Sequence, residues 1–175
     1  MSRSGTEPGK ERDLGPDADP ESVARTIALT MLERQPRTRA ELARGMARRG
    51  VPEDAATAVL DRFTEVGLVN DEAFAQAWVD SRHAGKGLGR RALSAELRRR
   101  GVDDEVAKEA IATVTPEDEE QVARALVERK LRAMASVAHD AKLRRLVGML
   151  ARKGFDQATA LRVVRDVLAE ASPRA

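Results

Sequence analysis

The chain of 175 residues has no cysteine and no tyrosine, only three phenylalanines, one tryptophan and two histidines. Without cysteine there is no disulfide framework and no thiolate metal site, which fits a reducing cytoplasm. His83 and His139 have no second histidine or cysteine at ligand spacing, so no metal site is expected. The aromatic rings are Phe63, Phe74, Trp78 and Phe155, too few to expect a platform on which single-stranded bases stack. No run of eighteen apolar residues occurs, so no membrane-spanning helix is expected. The N-terminus has no apolar signal-peptide core, so export is not expected either. Period-two runs of β-branched residues are missing as well, which argues against strands. The net charge is +2, and such a small sum leaves the pattern of charge as the informative quantity.

What is present is helix-forming sequence. Residues 1–19 are Gly, Pro and charge with almost nothing apolar. Such a segment cannot bury enough surface to offset its ordering entropy, so it reads as a disordered arm, with a docking tail as the functional alternative. From Asp19 to Ala171 alanine, leucine, arginine and glutamate dominate, all good helix formers. Asp19-Pro20-Glu21 and Thr115-Pro116-Glu117 place a capping side chain before a proline at the first helical position. Thr38-Arg39-Ala40-Glu41 fits a capping box.

Three short stretches repeat one motif: Ala47–Val51 (ARRGV), Arg98–Val102 (RRRGV) and Ala151–Phe155 (ARKGF). Each glycine sits where a helix C-terminus favours a left-handed residue. Alignment on Gly50, Gly101 and Gly154 brings other positions into register. Eight residues earlier stand Leu42, Leu93 and Leu146; four earlier, Met46, Leu97 and Leu150; one later, Val51, Val102 and Phe155. Further sets are Ala56, Ala107 and Ala160; Leu60, Ile111 and Val164; Phe63, Val114 and Val167; and, far upstream, Ile27, Trp78 and Leu131. All are apolar at helical spacing and are expected in a core. The glycines are 51 and 53 residues apart. The chain therefore reads as all-α, three tandem three-helix repeats forming an elongated, curved helical array. The expected units are residues 20–69, 70–114 and 115–172. A unit this small buries little core alone, so neighbours are expected to stack.

Charge separates by helix. Residues 36–50 carry five arginines against Glu41, and residues 80–101 carry seven basic residues against Asp80 and Glu96. Residues 127–153 carry eight against Glu128 and Asp140. The following helices of the first two units are acidic: six acids against Arg62 in residues 51–76, and eight against Lys108 in residues 102–122. With Leu93 and Leu97 facing the core, Arg91 and Arg98 project from the opposite side and Arg90 and Arg99 flank them. Arg49, Arg100 and Lys153, each just before its glycine, fall near the apolar stripe. They read as snorkelling over the core or pairing with the last helical carbonyls, not as ligand contacts. The remaining candidates for a contact surface are Lys86, Arg90, Arg91, Arg98 and Arg99, with Arg44, Arg144 and Arg145 on the flanking units. Charge alone leaves two readings open: a solvated face paired with the chain's own acids, or a stripe that meets phosphates or an acidic protein surface.

His83–Gly89 (HAGKGLG) is glycine-rich but lacks the Gly-x-x-x-x-Gly-Lys-Ser/Thr pattern and follows no strand; it reads as a flexible connection. No nucleophile–base pair stands out, so neither an enzyme nor a cofactor is expected.

Residues 68–111 (LVNDEAFAQAWVDSRHAGKGLGRRALSAELRRRGVDDEVAKEAI) closely resemble the middle unit of the RecX family, regulators of the bacterial recombinase RecA. Asp71, Glu72, Phe74, Ala75, Arg82, Lys86, Gly89, Leu97 and Gly101 occupy that family's pattern. Residues 37–71 are similar to its first unit, and residues 142–164 match its third more loosely; the resemblance spans about residues 22–170. It implies a cytoplasmic, all-α, non-enzymatic protein, here expected to be a monomer. It also implies binding to RecA, notably its filament on single-stranded DNA, with reduced filament growth, ATP hydrolysis and strand exchange, and some direct contact with DNA. Trp78 stands where the family commonly has Tyr. Two other readings stay open. One is a direct DNA-binding helical module, although the stripe offers mostly arginine without the Asn and Gln that read bases. The other is a purely structural helical-repeat interaction protein.

Overall fold

The computed structural model describes residues 19–171. The expected arm, residues 1–19, lies outside the described residues except for Asp19, the N-cap of the first helix. Among the described residues there are nine α-helices and one short 3₁₀ turn, with no strand. They come in three trios: α1 (Pro20–Arg34), α2 (Arg39–Ala47) and α3 (Glu53–Glu65); α4 (Asp71–Lys86), α5 (Arg90–Arg100) and α6 (Asp104–Ala112); α7 (Pro116–Leu131), α8 (His139–Arg152) and α9 (Gln157–Ala171). The 3₁₀ turn, Arg132–Met134, follows α7.

The helix starts are written locally. Asp19 accepts the Ser22 amide and Asn70 that of Ala73. Thr38 with Glu41, and Thr115 with Asp118, close reciprocal capping boxes. Each satisfies amides that the helix cannot satisfy itself, worth about 1 kcal/mol per cap. The second helices end as expected, with Gly50, Gly101 and Gly154 at positive φ (76°, 80° and 90°).

Each trio closes on its own apolar cluster. Leu42, Met46, Leu60 and Phe63 centre the first; Val79, Leu93 and Leu97 the second; Leu146, Leu150, Phe155 and Val164 the third. Leu42, Met46, Leu93, Leu97, Leu146 and Leu150 are fully buried, and a buried side chain of this size contributes about 1.5–3 kcal/mol. Ala24, Ala28, Ala75 and Ala123 have no exposed surface on the first helices; their small side chains let the other two helices approach closely. Ile27, Trp78 and Leu131 sit at the core margin, half-buried, and not at its centre. For Trp78 the reason is visible: with Phe74 it forms a stacked pair, centroids 5.6 Å apart, at the edge of a groove.

Consecutive trios meet at two joints built alike. In each, the C-terminus of one second helix lands on the N-terminus of the preceding one. At the first joint the Thr38 hydroxyl donates to the Arg100 carbonyl (2.7 Å), and the Arg39 amide donates to Asp71 (2.9 Å). At the second, the Gly89 amide donates to the Lys153 carbonyl (2.8 Å) and the Arg90 amide to Glu119 (3.1 Å). Both joints thus use the carbonyl just before the aligned glycine and an acid from the next trio's first helix. The connection after α4 is not the flexible linker expected of HAGKGLG. Gly87 is a left-handed cap against Leu126, and Gly89 lies against the Gly154 backbone. His83 is buried, its Nδ1–H donating to the Leu88 carbonyl at 2.8 Å. Glycine is there for close approach, not mobility.

Candidate functional site

The basic residues before the three glycines divide by position. Those immediately before are engaged. Arg49 donates to the Gly45 carbonyl of its own helix (3.0 Å), as a last-turn cation is expected to do. Arg100 reaches further than expected. It pairs with Glu41 of the preceding trio (2.9 Å), and its guanidinium lies 4.2 Å from the Trp78 ring. Lys153 Nζ donates to the Lys86 carbonyl across the second joint (2.7 Å). The last-carbonyl reading therefore holds for Arg49, whereas Arg100 and Lys153 bind trio to trio. Residues one place earlier, Arg48, Arg99 and Arg152, are all exposed, and none carries an ion pair with a described residue.

The eight candidates of the basic stripe do not form one class. Arg90 is a structural residue: half-buried, its Nε lies 3.5 Å from Glu119, which is only 7% exposed, and its guanidinium also donates to the Val114 carbonyl. A buried carboxylate needs that partner, because desolvation penalises an unpaired charge. Arg44 is exposed but donates to the Arg100 carbonyl (3.3 Å), so it borders the first joint. Arg98 makes a loose surface pair with Asp104 (3.7 Å), both well exposed, which is worth 0–1 kcal/mol and is readily exchanged. Lys86, Arg91, Arg99, Arg144 and Arg145 are exposed, with side chains free of any ion pair or hydrogen bond to described residues. Arg91 faces the start of α9. There Asp156 is held below the usual carboxylate range, first by the Thr159 hydroxyl and amide and, less, by Arg91 itself.

Two free residues escaped the sequence reading. Arg48 and Arg152 occupy the same register as Arg99, and the glycine alignment that located the core would have found them. Register also links Arg91 on α5 with Arg144 on α8, each ten residues before its glycine. At 100° per residue, Arg91 and Arg98 share one side of α5, turned away from Leu93 and Leu97, with Arg99 on its flank. The arrangement presents guanidinium groups at recurring positions with their hydrogen-bond forks unoccupied. Chemically this suits phosphates or carboxylates spread along an extended partner. No helix among the described residues is long and apolar enough to cross a membrane.

Three family models match the chain in succession: the RecX first three-helix domain at residues 24–63, the second at 70–111 and the third at 117–164. A protein named Regulatory protein RecX from Streptomyces coelicolor is 54% identical over 155 residues, covering 89% of this chain and 82% of its own. Another of that name from Thermobifida fusca is 50% identical over 163 residues, covering 91% and 88%. The crystal structure of RecX from Lactobacillus salivarius superposes with a TM-score of 0.80 at 21% identity, covering 86% of this chain and 98% of that one. A second crystal structure, of a regulatory protein RecX, gives 0.75 at 21% identity, with 85% and 72% covered.

Proposed function

The chain belongs to the RecX family of regulatory proteins, and from that premise we propose that it inhibits the RecA recombinase in the cytoplasm. In this reading it binds the RecA filament on single-stranded DNA and reduces filament growth, ATP hydrolysis and strand exchange. The observation that carries the contact surface is the split within each basic-basic-Gly motif. The residue next to glycine is spent on the fold, while Arg48, Arg99 and Arg152 one place earlier pair with no described residue in any of the three trios. A filament is periodic, and a row of cations at repeating intervals suits a periodic anionic surface. Lys86, Arg91, Arg144 and Arg145 extend that row, with Arg98 joining on release of Asp104; Arg44 borders it, and Arg90 is excluded.

The test is charge reversal of the free set alone: Arg91→Glu, Arg99→Glu and Arg144→Glu together. These side chains are exposed and make no ion pair or hydrogen bond with a described residue, so helicity and melting should stay near wild type. Co-sedimentation with RecA filaments should weaken tenfold or more, about 1.4 kcal/mol, and inhibition of ATP hydrolysis should fall with it. Undiminished inhibition by the folded triple variant would remove these residues from the mechanism. Naked single- and double-stranded DNA run in parallel separate this reading from direct DNA binding. Equal retention on naked DNA and on filaments would favour the DNA-binding module.

A further inference from the structure

A second surface is lined by none of the free cations of the second helices. Where the first two trios meet, a groove of about 570 Å³ runs between the end of α1, the turn after α3 and the exposed side of α4. Its apolar wall includes Leu68, Phe74 and Trp78, and Leu68 is 51% exposed. Three guanidinium groups, Arg37, Arg82 and Arg100, line it as well, and no carboxylate does. Arg82 and Arg100 are already committed: Arg82 pairs with Glu96 (3.5 Å), Arg100 with Glu41, and both lie just over 4 Å from the Trp78 ring. Arg37 has no carboxylate partner among the described residues; its guanidinium meets only the Gln35 amide oxygen.

We infer that this groove docks an acidic amphipathic segment of a protein partner, with an aliphatic side chain seated on Leu68 beside the edge of the Trp78 ring and a carboxylate on Arg37. The charged lining is of one sign, so a partner of the opposite sign completes it, and a carboxylate can displace the Gln35 oxygen that now bridges the two terminal nitrogens of Arg37. A nucleotide fits less well. The guanidinium groups of Arg82 and Arg100 already occupy positions over the Trp78 ring, leaving no free platform for a base. The Trp78 Nε1–H is also taken, donating to Glu96 at 2.8 Å. What is left open to an incoming group is the aliphatic rim, which matches a leucine or isoleucine side chain presented by a helix. This surface is separate from the row of free cations and does not depend on it.

Trp78 is the sole tryptophan of the chain, so its fluorescence reads the groove directly in the full-length protein. The probe is a synthetic helical peptide of about fifteen residues with leucine on one face and glutamate elsewhere. Controls replace every glutamate by lysine, or every leucine by serine, and a thymidine oligonucleotide serves as a nucleic-acid probe. The acidic peptide should give a saturable spectral shift and bind at least tenfold tighter than either control peptide. Arg37→Glu and Leu68→Asp should each weaken it tenfold or more with unchanged circular dichroism, and Arg37→Gln, a milder change, should weaken it less. Absence of saturation up to about 1 mM, an equal response to the lysine peptide, or displacement by the oligonucleotide would each overturn the inference. The triple reversal at Arg91, Arg99 and Arg144 should leave this peptide's affinity unchanged, so this test and the filament test fail independently.

Discussion

Gly101 and Gly154 each meet two demands at once. Both lie at positive φ, and a Cβ at Gly101 would come within 2.5 Å of the Ala40 Cβ, while one at Gly154 would collide with Ala92. Gly50 has the same backbone conformation but nothing within 4 Å of where its Cβ would stand. The three positions therefore separate conformational strain from joint packing. Gly50→Ala should cost about 1–2 kcal/mol from the left-handed backbone alone. Gly101→Ala and Gly154→Ala should add about 1–3 kcal/mol for overpacking. Urea melts of the three variants check this; equal losses at all three would mean the joints contribute nothing. The sequence showed the glycines as helix ends because that signal is local. It could not show what they touch, since Ala40 lies 61 residues from Gly101 and nothing in the RRRGV stretch marks it. Arg90 differs: grouped with Arg99 as a flank of the stripe, it falls about 20° from Leu97 at 100° per residue, on the buried side of α5, whereas Arg91 and Arg99 do not. Its partner Glu119 belongs to another trio, and burial of that carboxylate is a tertiary fact.

At the scale of the helix, nearly everything was legible. Caps, prolines at first positions and the apolar register placed the trios, because each signal acts within one or two turns. The unexpected part is that some first-turn acids serve another helix: Asp71 and Glu119 accept amides at the starts of α2 and α5. The acids that do cap their own helices have a consequence for pH. The carboxyl groups of Asp19, Asp118 and Asp156 are held below the usual range, chiefly by the hydroxyls of Ser22, Thr115 and Thr159 respectively. A carboxylate with a depressed folded pKa stabilises the protein above its unfolded value, near 4, and that contribution is lost as pH falls through the folded value. Melting temperature should therefore not change on account of these groups between about pH 5 and 8, and should decline from about pH 4 downward. Asp19→Asn keeps a competent cap but removes one titrating group. It should melt near wild type at neutral pH and show a shallower acid limb by circular dichroism. An acid limb as steep as wild type would take Asp19 out of the linkage.

At the scale of the whole molecule, the joints decide whether three small cores behave as one. Each trio has its own apolar cluster, so cooperativity rests on the contacts between them. Arg90→Glu sets a second carboxylate against the buried Glu119 and should destabilise by about 1–3 kcal/mol; partial exposure of Arg90 keeps this below the full cost of a broken buried pair. It should also broaden the calorimetric transition as the third trio uncouples. Arg91→Glu, one residue on, exposed and in no ion pair with a described residue, should change stability by less than about 0.5 kcal/mol. A sharp, wild-type transition in Arg90→Glu would show that the second joint is not what couples the trios.

The head-to-tail stacking of second helices has an electrostatic consequence. Each peptide unit adds its dipole along the helix axis, leaving about half a positive charge at a helix start and half a negative charge at its end. Where α8 hands its last carbonyls to α5, and α5 to α2, opposite half-charges meet and offset one another. Two remain, at the outer ends of the row. The negative one, after α2, is met by Arg48 and Arg49. The positive one, before α8, is met by Asp140 in the first turn. That end is also built differently: Thr38 and Gly89 precede their glycines by 12 residues, whereas Ala138 precedes Gly154 by 16. The row of second helices therefore has a polarity, with cations at the α2 end, an acid at the α8 end and an added turn of helix only at the latter.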